Sequence, residues 1–340
     1  MRAVAWLAPV LALLAIAPAA SAAPTVTKAT LGGVQTRVIE AGDVRSREAV
    51  VFVHGHPGSA DDWPHLVDVA GRYGRAVALD LPGFGEADDG PKFDYSVVGE
   101  AKWLGAALAG LGIDRVHLVL HDFGGPIGLE WAKNHPDLLV SAVLINTGVF
   151  ENYYGHPMAY AWHVDGLGEA LMDNTTRESF GLMMQSGSLR PLPQEYIDTA
   201  WSHYDKATRT AALKLYRSYP APDSADKMGR EQAAVLGKKQ RPAVVIWGET
   251  DPYVPVYVAY EQSDAFPGAT VSLLAAGHWP FVEVPEDVDA LVGPFWKQNV
   301  HVVVPPEPAA KPRPKARRKR CSRGRRAGRH RSARPCRRHR

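Results

Sequence analysis

Val116-His117-Leu118-Val119-Leu120-His121-Asp122-Phe123-Gly124-Gly125 is an apolar run that ends in a carboxylate and two glycines, with a helix-like stretch directly after it. The run reads as a buried strand. The glycines permit the tight strand-to-helix turn that lifts one side chain clear of a sheet, a nucleophile elbow. The side chain presented is Asp122. A carboxylate there is poorly matched to attack on an ester, which would give a labile anhydride. It suits displacement at an sp³ carbon bearing a leaving group, through an alkyl ester that water then hydrolyses. The plainer role, an Asp that only caps the next helix, is disfavoured by the strand before it and the glycines after it.

Outward from this turn, Ala49–Val53, Ala76–Leu79, Ala142–Ile145 and Ala243–Trp247 are further short runs rich in Val and Ala. They read as buried parallel strands. Helix-like stretches at about 60–72, 96–110, 125–134, 256–265 and 285–297 alternate with them, which predicts an α/β fold with a doubly wound, mostly parallel sheet. Residues 25–40 alternate polar and apolar side chains around Gly32-Gly33, a hairpin at an exposed sheet edge. The rhythm breaks between 148 and 240, where aromatic and helical stretches carry no convincing strand. The expected organisation is therefore a core at 25–147 and 241–300 with a helical cap, 148–240, inserted between its halves.

Two further residues complete a triad in the chain order nucleophile, acid, histidine. Asp251, in Gly248-Glu249-Thr250-Asp251-Pro252, follows one strand, and His278, in Gly277-His278-Trp279-Pro280, follows the next, Thr270–Leu274. His278 would activate water, with Asp251 fixing its tautomer. Glu151 and Glu249 are spare candidates for the acid. A lone loop histidine means little, but three such residues after three strands make a pattern. Ester hydrolysis also requires an oxyanion hole. The backbone N–H of Phe123 is one expected donor, and that of His56, in His54-Gly55-His56-Pro57-Gly58, the other. No third ligand accompanies the two histidines of that loop, so no metal is expected, nor any cofactor.

The termini are of other kinds. Met1-Arg2, an apolar run to about Ala17 and the small residues up to Ala22 read as a secretory signal peptide (1–22) with cleavage expected after Ala22; an uncleaved anchor is the alternative. Export to the cell envelope or medium is the expectation. Of the 39 Lys and Arg, 16 lie in the last thirty residues, which contain no acid, so residues 1–310 carry a net charge of −13. Residues 304–340 read as a Pro-rich linker and a disordered Arg-rich tail. That tail would attract an anionic envelope polymer or membrane surface, with no specific nucleic-acid partner. Both cysteines, Cys321 and Cys336, lie in it and can pair or remain free. The body, without thiols, excludes a cysteine nucleophile or thiolate metal site.

Through His54-Gly55-His56-Pro57, Asp80-Leu81-Pro82-Gly83-Phe84-Gly85, the elbow, Gly248–Asp251 and Gly277-His278, residues 30–300 resemble the α/β-hydrolase superfamily. Within it they resemble the group with an Asp nucleophile, the epoxide hydrolases and haloalkane dehalogenases. Dehalogenases of this group typically grip halide with a Trp after the nucleophile and an Asn in the His-Gly-Asn-Pro loop; here those positions are Phe123 and His56. Leu120, two residues before Asp122, is nonetheless dehalogenase-like. Epoxide hydrolases use cap tyrosines as proton donors, and the resemblance implies Tyr216 for one and Tyr160, or else Tyr154, for the other. The epoxide reaction is slightly favoured over the halide. A carboxylesterase or lactonase, and a non-catalytic cell-surface binding protein, are the remaining alternatives. The cap aromatics, among them Tyr153, Trp162, Tyr204 and Tyr216, suit a small apolar substrate, with water as the second.

Overall fold

A computed structural model describes residues 23–304 apart from 91, 154, 220 and 221. The expected leader, Tyr154 and the chain from 305 onward, with Cys321 and Cys336, lie outside the described residues. The first half runs β1 (Thr25–Leu31), β2 (Val34–Ala41), β3 (Glu48–Val53), α1 (Pro64–Gly71), β4 (Arg75–Leu79), α2 (Val97–Gly110), β5 (Arg115–His121), α3 (Gly124–Asn134) and β6 (Leu139–Ile145). Helices α4 (Pro157–His163), α5 (Leu167–Asp173), α6 (Arg177–Ser186), α7 (Gln194–Ser202), α8 (Lys206–Ser218) and α9 (Pro222–Leu236) follow without an intervening strand among the described residues. The chain closes with β7 (Ala243–Gly248), α10 (Tyr257–Glu261), β8 (Thr270–Leu274), α11 (Pro280–Glu283) and α12 (Pro285–Asn299).

The eight strands form one sheet in the order β1-β2-β4-β3-β5-β6-β7-β8. The β1–β2 hairpin is antiparallel and turns at Gly32 and Gly33, whose positive φ values of 55° and 85° are those glycine adopts without a Cβ clash. From β4 to β8 every pairing is parallel. β3, β4 and β7 are buried at every position, which is why they read as continuous apolar runs rather than alternating ones. Helices seal both faces with large rings; Phe52 packs 5.4 Å from Trp63 and 6.1 Å from Trp296.

Two helices depart from the sequence expectation. The stretch at 60–72 divides, because Pro64 has no N–H to continue a helix begun at Ala60; a 3-10 turn capped by Ser59 precedes α1. The stretch at 256–265 is helical only to Glu261. Pro267 disfavours helix in the residue before it, and Gly268 at φ 91° turns the chain into β8.

The order of β4, β3 and β5 reverses at β3, so the crevice beyond the C-terminal ends of β3 and β5 is the switch point where parallel α/β sheets bind ligands. A buried ionic cluster fixes its rim. Arg37 bridges Asp80 (2.9 Å) and Asp61 (2.7 Å), and Asp80 also accepts the Ala60 N–H at 2.7 Å. The same acidic turn holds α7 and the residue after it, through Tyr196 to Asp62 (3.0 Å) and His203 to Asp61 (2.9 Å).

Candidate active site

Five strand ends of the sheet supply the site. Asp122 follows β5 with φ 49°, a left-handed conformation that is uncommon for a residue with a Cβ, although Asp enters it more readily than most. The Thr147 hydroxyl donates to the Asp122 carbonyl at 2.5 Å. A Cβ on Gly124 would collide with the Val53 carbonyl, and one on Gly55 with the Asp122 carboxylate, so both positions require glycine. The carboxylate lies against two backbone donors: the His56 N–H, 2.7 Å from Oδ1, and the Phe123 N–H. Burial pushes the Asp122 carboxyl above the usual carboxylate range, against the opposing pull of His278 and these two N–H groups.

His278 Nδ1 lies 2.8 Å from Asp251 Oδ2, and its Nε2 stands 3.7 Å from Asp122 Oδ2. Asp251 leaves no lone pair idle: Oδ1 accepts the N–H groups of Tyr253 and Val254, and Oδ2 accepts the Asn146 amide at 2.6 Å. The Asp251 carboxylate fixes the His278 proton on Nδ1 and leaves the Nε2 lone pair facing Asp122. Burial disfavours the charged ring, yet Asp251, Asp122 and Glu283 together raise His278 above the ordinary imidazole value.

The structure therefore brings together Asp122, Asp251, His278 and the N–H groups of His56 and Phe123. Glu249 is exposed, and it is Asp251 that bonds to the histidine. Around them is a cavity lined in part by His56, Asp122, Trp162, Tyr216, Tyr253 and His278. Tyr216 is in this wall. Tyr160 is not: α4 leaves it 46% exposed and outside the cavity lining. On α4 the helical spacing that sends Ala159 and Trp162 inward sends Tyr160 outward. The lining residue nearby is His156, which caps α4. Its Nδ1 accepts the Ala159 N–H (3.3 Å), so the neutral ring carries its proton on Nε2, and burial holds its pKa down to about 4.

Sequence reasoning missed four other contributors. His156 has no local signature beyond preceding Pro157. Asn146, at φ 48°, donates to Asp251 and accepts the Gly248 N–H. His121, kept neutral by burial, donates Nε2–H to the His278 carbonyl at 2.8 Å; its place beside Asp122 was the available clue. Glu283, five residues after His278, accepts N–H groups from Gly277, Leu189 and Arg190 at 2.8–3.1 Å, while the His278 N–H donates to the Gly187 carbonyl at 2.8 Å. Glu283 thus ties the histidine loop to the 187–190 turn.

Because the Glu283 charge helps to raise His278, Glu283→Gln moves the His278 titration to lower pH, and a general base in that variant would stay active into more acid solution. A ¹⁵N-imidazole titration checks this. An unmoved His278 would make Glu283 a purely structural clamp.

A family model for the alpha/beta hydrolase fold matches residues 48–285. A haloalkane dehalogenase of Agrobacterium fabrum is 34% identical over 105 residues, 31% of this chain and 33% of that protein. The 2-hydroxy-6-oxo-6-(2'-aminophenyl)hexa-2,4-dienoic acid hydrolase of Metapseudomonas resinovorans is 26% identical over 75% of this chain and 85% of its own. Among solved structures, a haloalkane dehalogenase loop variant from Bradyrhizobium elkanii superposes with a TM-score of 0.71 at 22% identity, covering 82% of this chain and 98% of that one. The chain is a hydrolase and belongs to the α/β-hydrolase fold family.

Proposed function

We propose that Asp122 is the nucleophile and that the chain opens a small epoxide to a diol. The observation that carries this reading is the pairing, in one cavity, of the Asp122 carboxylate with two neutral proton donors, Tyr216 and His156. Burial and the nearby Asp122 charge keep the Tyr216 phenol protonated far above neutral pH. Asp122 Oδ2 bonds to an epoxide carbon, the C–O bond breaks, and the ring oxygen takes a proton from Tyr216 or His156. His278 Nε2 then removes a proton from water, and the hydroxide adds to Cγ of the ester. The oxyanion that forms is met by the N–H groups of His56 and Phe123, already in place before any charge develops. Collapse expels the second alcohol with the proton from His278. The proton left on the new Asp122 carboxyl returns to the donor.

Haloalkane dehalogenation is the second reading, favoured by the local likeness to haloalkane dehalogenases. The position after the nucleophile and the third place of the His-Gly-X-Pro loop carry Phe123 and His56, not the Trp indole N–H and Asn amide that typically grip a departing halide there. An ester or lactone substrate wants a hydroxyl at position 122, and a binding protein has no use for an assembled triad. Residues 1–22 support export, and the Arg-rich tail supports electrostatic retention at an anionic envelope surface.

His278→Ala stalls at the ester, so its intact mass rises by one styrene oxide, with the adduct on Asp122. A butyl adduct from 1-bromobutane, with none from the epoxide, would transfer the assignment to dehalogenation; turnover of simple esters with neither adduct would overturn the Asp nucleophile. The mature protein recovered from the envelope or medium should begin at Ala23, and an intact Met1 in the cytoplasm would overturn export.

A further inference from the structure

Most of the buried imidazoles here are accounted for. His54 places one nitrogen on the Gly55 carbonyl and the other on the Leu81 N–H; His117 bonds Ser141 and Glu48. His278 bonds Asp251 and faces Asp122, and His121 bonds the His278 carbonyl through Nε2, leaving only its Nδ1 without a partner. His56 is different. It is 4% exposed, and neither Nδ1 nor Nε2 has a hydrogen-bond partner. The ring is walled by Phe84, Trp162, Tyr204 and Tyr216, at centroid distances of 5.7–6.2 Å. A phenylalanine would fill that space with no polar atoms to desolvate, so two buried nitrogens without partners are a cost that packing does not explain.

We propose that the His56 imidazole binds a hydroxyl group of the substrate, and that the epoxides this chain hydrolyses are uncharged epoxy alcohols. The proposal rests on the epoxide reading and deepens it. The His56 main chain fixes the geometry: its N–H on Asp122 Oδ1 at 2.7 Å places the side chain one residue from the reacting atoms, in the wall of the same cavity. The bound hydroxyl therefore belongs on a carbon close to the oxirane. A neutral imidazole carries a donor on one nitrogen and an acceptor on the other, on diverging sides of the ring; a hydroxyl can both accept and donate, so it pairs with whichever nitrogen meets the substrate, in either tautomer. Burial, with smaller effects of His54 and His156, holds the His56 pKa down to about 3, which keeps the ring neutral at physiological pH. Among the described residues, no Lys or Arg lines the cavity, so a carboxylate on the substrate would meet no cation there.

The test compares 2,3-epoxyhexan-1-ol with 2,3-epoxyhexane, which differ only in that hydroxyl, in the native protein and in His56→Phe. The readout is the ratio of the two kcat/KM values within each protein, in which any loss common to both substrates cancels. The native protein should favour the alcohol by about tenfold or more, and His56→Phe should bring the ratio close to one. A native ratio near one, or a preference that survives His56→Phe, overturns the proposal. Binding provides a measurement independent of turnover. In ¹⁵N-histidine spectra, hexane-1,2,3-triol should shift the His56 ring nitrogens and hexane-2,3-diol should not; equal or absent shifts overturn the proposal. If neither epoxide is hydrolysed, the epoxide chemistry falls, and the binding spectra alone decide the role of His56.

Discussion

The left-handed backbone at Asp122 is the constraint on which the site depends. An L-residue with a Cβ adopts φ near 49° at a cost of about 1 kcal/mol or more, so neighbouring parts of the fold must hold it there. Parallel β3 and β5 bring the Gly55 backbone against the carboxylate, Gly124 lets α3 start against the Val53 carbonyl, and Thr147 at the end of β6 holds the Asp122 carbonyl. The same turn aims the side chain at two N–H groups. Strain, close packing and the electrostatics of the site are thus one feature, built from the ends of three adjacent strands.

The histidine is positioned with equal redundancy, and partly from outside the sheet. Asp251 orients its ring, Asn146 orients Asp251, and His121 holds its carbonyl. Gly187 and Glu283 join the loop of His278 to the turn between α6 and α7. The helices that wall the cavity therefore also fix the imidazole, and a displacement of the 187–190 turn would reach His278 directly. Tyr196, in the first turn of α7, and His203, just past its end, attach that helix to the acidic turn around Asp61 and Asp62.

Much of this was legible in the sequence because it depends on chain-local chemistry. Val-rich runs marked the buried strands, Gly32-Gly33 the hairpin, and the glycines after Asp122 the elbow. The order Asp122, Asp251, His278 follows from the ends of three strands, β5, β7 and β8. What was not legible depends on pairings between distant segments. Nothing local to His156 says that its ring meets the cavity, and Tyr160, the second cap tyrosine that the resemblance implies, is placed outside by the phase of α4. Asn146 and Glu283 are polar residues near strand or helix ends, of which the chain has many; only the approach of β6 to β7, and of the histidine loop to residues 187–190, gives them their partners.

Oxygen tracing in a single turnover tests the central claim most directly. With enzyme in excess over styrene oxide in ¹⁸O-water, an Asp122 nucleophile gives a first diol whose new oxygen is ¹⁶O from the carboxylate, and the Asp122 peptide gains ¹⁸O. A first diol carrying ¹⁸O, with the Asp122 peptide unlabelled, would mean that water attacks the epoxide itself and would contradict the account.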